Sequence, residues 1–247
     1  KQQTHSGVTG GVARNPLGEL ASVVSKCYDA HTGEVMIPGF YDDVAKLSTK
    51  ELASFLASGF DLAQFTNAHG LLHVRTQDAA DAVTRLWAQP TFEVHGFVGG
   101  YIGDGTKTVI PNKGEVKITM RLVPNQDPEK IRKLAMEYIK KINAHVHVES
   151  DHVLRPYLGE FEGPYANAAR SAFMAVCGKE PAFIREGGSI GAVLTMKELL
   201  GAPITMLGLS LPEHGYHAPN ENFDWTQAST GITLFVEYFA IVGKMKK

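Results

Sequence analysis

Beyond Phe161 the apolar pattern of the chain alternates between helix and strand. A helical stretch over 164–177 is followed by the apolar run PAFIR (181–185), a helix over 189–200, the longer apolar run PITMLGLSL (203–211) and a final helix over 224–243. Strands separated by helices point to parallel βαβ units. A parallel sheet needs several strands with both faces covered, yet this half offers two clear strands in about ninety residues. The sheet is expected to be incomplete within the chain. Ligand sites in such sheets lie past the carboxyl ends of the strands, where the turn REGGS (185–189) and the loop LPEHGYHAPNENF (211–223) both fall.

The first half follows another pattern. NPLGELASVVSKCYD (15–29) opens with Asn15 as N-cap and Pro16 at the first helical position, and sets Leu17, Leu20, Val23, Val24 and Cys27 on one face. The segment from Asp29 to Pro90 reads as an inserted helical excursion, with a capped helix over 47–65 and another near 76–90. TFEVHGFVGGY (91–101) and TKTVIPNKGEVKITMRLVP (106–124) are rich in β-branched residues and are expected to be strands. DPEKIRKLAMEYIKKINA (127–144), with Asp127 as cap and Pro128 at the first position, reads as a helix, and HVHVES (145–150) alternates as an edge strand. Together these make a small α+β sandwich.

Composition excludes several classes. A formal charge of -2 over 247 residues gives no basic surface for nucleic acid, and 44% hydrophobic with 20% charged residues fits a soluble globular chain. No apolar run reaches the length of a membrane span. Cys27 and Cys177 are too few and too far apart for a disulfide framework or a thiolate metal site, and suit a reducing, cytoplasm-like setting. The chain begins at Lys1 rather than a methionine, which leaves room for an upstream signal peptide or a longer upstream segment.

Five motifs in order, THSGVTGG (4–11), GTKTVIP (105–111), ITMRLVP (118–124), IREGGSIG (184–191) and HAPNENF (217–223), resemble the di-zinc metallopeptidase family of carnosinases, aminoacylases and succinyl-diaminopimelate desuccinylase. The resemblance is closest to the carnosinase-like dipeptidases, which carry a comparable insertion, and it covers essentially the whole chain. It implies a mixed α/β and α+β fold. A ferredoxin-like α+β lid and dimerisation domain is expected over 1–158, with the helical insertion at about 30–90, followed by the C-terminal part of a zinc-exopeptidase-like α/β catalytic domain over 159–247.

By the same resemblance His217 is a zinc ligand, one of a set for two zinc ions. The family's H-x-D segment, bridging aspartate and E-E pair do not precede His5, so this chain alone is expected to hold zinc weakly or not at all and to be inactive. His5 matches the histidine that reaches from one subunit's lid into the partner's active site and stabilises the oxyanion; read alone, HSG is a polar cap on a surface turn. Arg121 matches a fork for the substrate carboxylate, or is a structural ion pair that avoids the cost of burying a lone guanidinium. Thr108 matches a residue that contacts substrate across the dimer, or is strand packing. The turn Glu186-Gly187-Gly188-Ser189 suits a carboxylate at a helix N-terminus, or is a tight turn and cap; the family tends to carry proline where Gly191 stands here. His214 is read as shaping its loop, and the pairs His69/His73 and His145/His147 as solvent-facing. The implied activity is hydrolysis of a dipeptide or N-acyl amino acid by a homodimer joined through the lid; the alternative is a non-catalytic dimerisation or carboxylate-binding module.

Overall fold

The computed structural model describes residues 2–151, 153–186, 190–216 and 219–245. In chain order the elements are β1 (Thr4–His5), α1 (Ser6–Thr9), α2 (Pro16–Cys27), α3 (Thr49–Leu56), α4 (Leu62–Ala68), α5 (Ala79–Ala88) and β2 (Thr91–Gly99). Then come β3 (Val109–Ile110), β4 (Gly114–Arg121), α6 (Pro128–Ile142), α7 (Pro164–Cys177), α8 (Gly191–Leu200), a 3-10 turn at Pro212–His214 and α9 (Trp225–Gly243). They form two compact units that do not follow sequence order: Lys1–Ala45 with Gln89–Pro156, and Lys46–Ala88 with Tyr157–Lys247.

The first unit is built on an antiparallel β2–β4 pair with a bulge between Val94 and Gly96, and a short β1–β3 pair. The start of α2 is fixed by Asn15, whose side chain accepts from Leu17 N at 3.0 Å, and that of α6 by Asp127, which accepts from Glu129 N and Lys130 N. Both helices turn their apolar stripes to one core, where Val23 and Cys27 of α2 meet Ile131, Ala135 and Ile139 of α6, with Val35, Ile37, Phe40 and Phe92. Along β4 the residues Val116, Ile118 and Met120 are half-buried, while Glu115, Lys117, Thr119 and Arg121 are exposed, as expected of a sheet covered on one face. Leu17 seats α2 on glycines: a Cβ at Gly114 would stand 2.7 Å from Leu17 Cδ2, and one at Gly100 2.9 Å from Leu17 Cδ1. Glu19 ties the two helices together by accepting from Arg14 Nε at 2.9 Å and Asn143 Nδ2 at 2.6 Å.

The expected strand at 145–150 does not form. Val146 and Val148 do pack on the core while His145 and His147 stay exposed, so the alternation is real, but no neighbouring strand pairs with it among the described residues.

In the second unit α7 and α9 pack through Ala168, Ala169, Ala172, Leu234 and Tyr238, and Leu207 and Leu209 add to this cluster. Leu209 lies over Gly231 so closely that a Cβ there would stand 2.5 Å from Leu209 Cδ1. The runs 181–185 and 203–211, expected as parallel strands, carry no strand pairing among the described residues. The apolar side chains of 203–211 pack as a strand's would, but a strand also needs a backbone partner.

Residues 46–88 form their own aromatic cluster, with Phe55 and Phe60 edge-on to Trp87 at 5.2 and 5.6 Å. The single helix expected over 47–65 breaks into α3 and α4, because Gly59 takes a left-handed turn (φ 81) and Asp61 caps a new helix by accepting from Gln64 N at 2.9 Å. This excursion, attached by the sequence reading to the first domain, belongs to the second unit. Glu51 holds Arg185 through contacts of 2.8 and 2.6 Å, with only 16% and 13% of the two side chains exposed, and Lys50 reaches Glu162 at 2.8 Å. No helix among the described residues is long and apolar enough to cross a membrane.

Candidate functional site

The residues of the HSG and GTKT motifs, a hundred positions apart, meet in the first unit. The β1–β3 register sets Thr4 against Ile110 and His5 against Val109, which brings Thr108 beside His5. Ser6 N donates to the Thr108 carbonyl at 2.9 Å and Ser6 Oγ to the same oxygen at 3.2 Å. His5 is the N-cap of α1: its Nδ1 accepts from Gly7 N at 2.9 Å. Glycine eases this fold-back, since a Cβ at residue 7 would stand 3.0 Å from His5 Cε1 and press on the ring. With Nδ1 accepting, the neutral ring carries its proton on Nε2, which donates to Thr108 Oγ1 at 3.3 Å. Both side chains are exposed. The result is an exposed imidazole–hydroxyl pair of fixed tautomer in which Thr108 Oγ1 accepts from the ring and keeps its own O–H to donate to an oxyanion or a carboxylate.

The other sequence candidates fall elsewhere. Arg121 ends β4 on the exposed face, opposite Thr91, so the desolvation expected of a guanidinium in mid-strand does not arise. Glu186 is exposed and directly follows Arg185, whose ion pair with Glu51 the sequence reading missed because it assigned the two residues to different domains. Gly187, Gly188, Ser189 and His217 lie outside the described residues. Among the described residues no group of three or more His, Cys, Asp or Glu is placed to hold a metal ion, so they do not by themselves fit the implied zinc site. His69 terminates α4, which leaves the His69/His73 spacing off any helix, and both side chains are exposed.

The loop after 203–211 is organised by His214, which is 4% exposed. Its Nδ1 accepts from Leu211 N at 3.0 Å and its Nε2 donates to Asp224 Oδ2 at 2.8 Å, while Phe223 stands edge-on to the ring at 5.3 Å. Asp224 is also the N-cap of α9; the Gln227 N–H and then the His214 imidazole hold its carboxyl below the usual carboxylate range. Gln227 Nε2 donates to the Leu209 carbonyl at 2.7 Å, and Asn222 N to the His214 carbonyl at 3.0 Å.

Residues 1–147 match the M20 peptidase dimerisation domain. The chain belongs to the M20 peptidase family. It is 26% identical over 244 residues to human Beta-Ala-His dipeptidase, a match that covers 96% of this chain and 48% of that protein. It is 31% identical over 246 residues to the Cys-Gly metallodipeptidase DUG1 of Candida albicans, covering 97% of this chain and 50% of that protein. Among solved structures, human carnosine dipeptidase 1 matches with a TM-score of 0.85 at 26% identity, over 99% of this chain and 52% of that one. The M20 metallo-carboxypeptidase Sso-CP2 of Sulfolobus solfataricus matches with a TM-score of 0.90 at 27% identity, over 99% of this chain and 56% of that one. The chain thus spans about half the length of the curated relatives it matches. The M20 dimerisation match runs continuously through residues 46–88, which belong to the second unit.

Proposed function

We propose that this chain supplies the dimerisation unit and part of the catalytic unit of a metal-dependent dipeptidase or amidohydrolase, acting on a dipeptide or N-acyl amino acid as a homodimer. The observation that carries the reading is the His5–Thr108 apposition. A ring whose Nδ1 is occupied by Gly7 N carries its proton on Nε2 and donates it to Thr108 Oγ1, which leaves the exposed Thr108 O–H as the donor that a developing oxyanion or a substrate carboxylate requires. In this reading His5 and Thr108 serve the site of the partner subunit, Arg121 and the 186–189 turn hold the substrate, and His217 is one ligand of a two-zinc set. The names of the relatives, dipeptidases and metallodipeptidases, agree with this chemistry.

The chain by itself is proposed to be inactive, since of the two-zinc ligand set that the family resemblance implies only His217 is matched in it. The test is elemental analysis of the purified 247-residue chain after exhaustive dialysis, together with an assay on Cys-Gly and β-Ala-His dipeptides. Less than one zinc per chain and hydrolysis at the background rate are expected. One or more tightly held ions per chain, or turnover, would refute this reading.

A further inference from the structure

We infer that His214 is a positioning residue, a neutral imidazole clasp that closes the loop between Leu211 and Asp224 onto the start of α9. The inference rests on the reading of the HAPNENF segment (217–223) in this loop as functional, and it deepens that reading by naming the device that orders the loop's stem. A buried histidine normally needs both ring nitrogens satisfied, and here each has one partner of opposite kind. A backbone N–H faces Nδ1, so that nitrogen carries no proton; a carboxylate faces Nε2, which therefore does. Neither nitrogen is left to bind a metal or to exchange a proton with a substrate, which separates His214 from the ligand role its neighbourhood suggests.

The bonds around it lock the stem of the loop. Leu211 is held to the ring, Leu209 to Gln227, Asn222 to the His214 carbonyl, and Asp224 both to the ring and to Gln227 N. The chain therefore leaves and re-enters at fixed points, and turns between them on Gly215 and Asn220, both in the left-handed region at φ 68 and φ 66. Asp224 couples this stem to the helix, because one carboxylate caps α9 and accepts from His214. The loop is thus tied to the longest helix of its unit among the described residues.

The experiment is done on the 247-residue chain by nitrogen-15 NMR and amide hydrogen exchange, comparing wild type with H214A, H214N and D224S. The His214 ring should show an unprotonated Nδ1 and a protonated Nε2. H214A and D224S should speed exchange at Leu211 and Asn222 by about tenfold or more, the scale of a lost buried hydrogen bond, while amides of α7 keep their rates. H214N should recover protection at Leu211, because its Oδ1 can take the place of Nδ1. Serine keeps the cap on α9 but is too short to reach the ring, so D224S decides the matter if H214A fails to fold. A ring protonated on Nδ1, or exchange over 211–222 unchanged in both H214A and D224S, would overturn the inference. The zinc content and turnover of the same chain test the other reading separately: tightly held ions or turnover beside an intact clasp signature would refute the proposed function and leave the clasp standing.

Discussion

Cys27 closes α2 with no solvent exposure, and burial pushes its thiol up to about 11. An unfolded chain would lose that proton near the ordinary thiol value of about 8.5. The stability contributed by keeping the thiol neutral is therefore complete below that pH and is lost as pH rises toward 11. The urea midpoint is expected to fall between pH 9 and 11, by less in Cys27→Val, and Ellman's reagent at pH 8 should titrate the exposed Cys177 alone until the chain is unfolded. The Glu51–Arg185 pair makes a second prediction at this scale. With side chains only 16% and 13% exposed, loss of one partner strands a charge: Arg185→Ala should cost about 3 kcal/mol in denaturant unfolding, and Glu51→Gln with Arg185→Met together less than the sum of the two alone. Additive losses would show that the pair is not coupled.

The elements divide by what makes them. Helices carry their own signals, and α2, α6, α7 and α9 form within two residues of where caps, prolines and apolar stripes put them. Strands do so only in part: β2 and β4 form within 91–101 and 106–124 as expected, whereas 145–150, 181–185 and 203–211 have the right side chains, and the packing of Val146, Val148, Leu207 and Leu209 shows it, but pairing is a property of neighbours that a segment does not contain. The His5–Thr108 apposition was legible only through the ordered motifs of a family, since nothing local links residues 103 positions apart. The role of His214 could be read from its loop, whereas nothing in the sequence marked Asp224, ten positions on, as its partner. Packing of α2 against β2–β4 depends on the Gly114 cradle. Gly114→Ala should destabilise the first unit by about 1–3 kcal/mol through the clash with Leu17, and Leu17→Ala placed on top should cost less than it does in wild type. Equal costs in the two backgrounds would mean that the helix is not seated there.

At the scale of the whole molecule, the second unit leaves a broad apolar surface open. Ile232, Val236 and Phe239 of α9 are 60–65% exposed, and Leu199 and Leu200 at the end of α8 more than 70%. The chain is therefore expected to bind a hydrophobic dye and to aggregate with rising concentration, both reduced by Val236→Lys with Phe239→Lys. The first unit carries a different kind of unfinished surface. β2 pairs on one side with β4 and has no strand on its other side among the described residues, and Phe97 and Val98 on it are about half exposed. A two-fold pairing of β2 edges would satisfy both copies with one surface, and it is the arrangement proposed here for the M20 dimerisation unit. Sedimentation equilibrium tests this most directly when run on the wild-type chain, on Val98→Pro with its fold checked by circular dichroism, and on the α9 double lysine variant. The account predicts twice the chain mass for wild type and the lysine variant, and a monomer for the folded proline variant. A wild-type monomer, or an association that ignores the proline and disappears with the lysines, would contradict it.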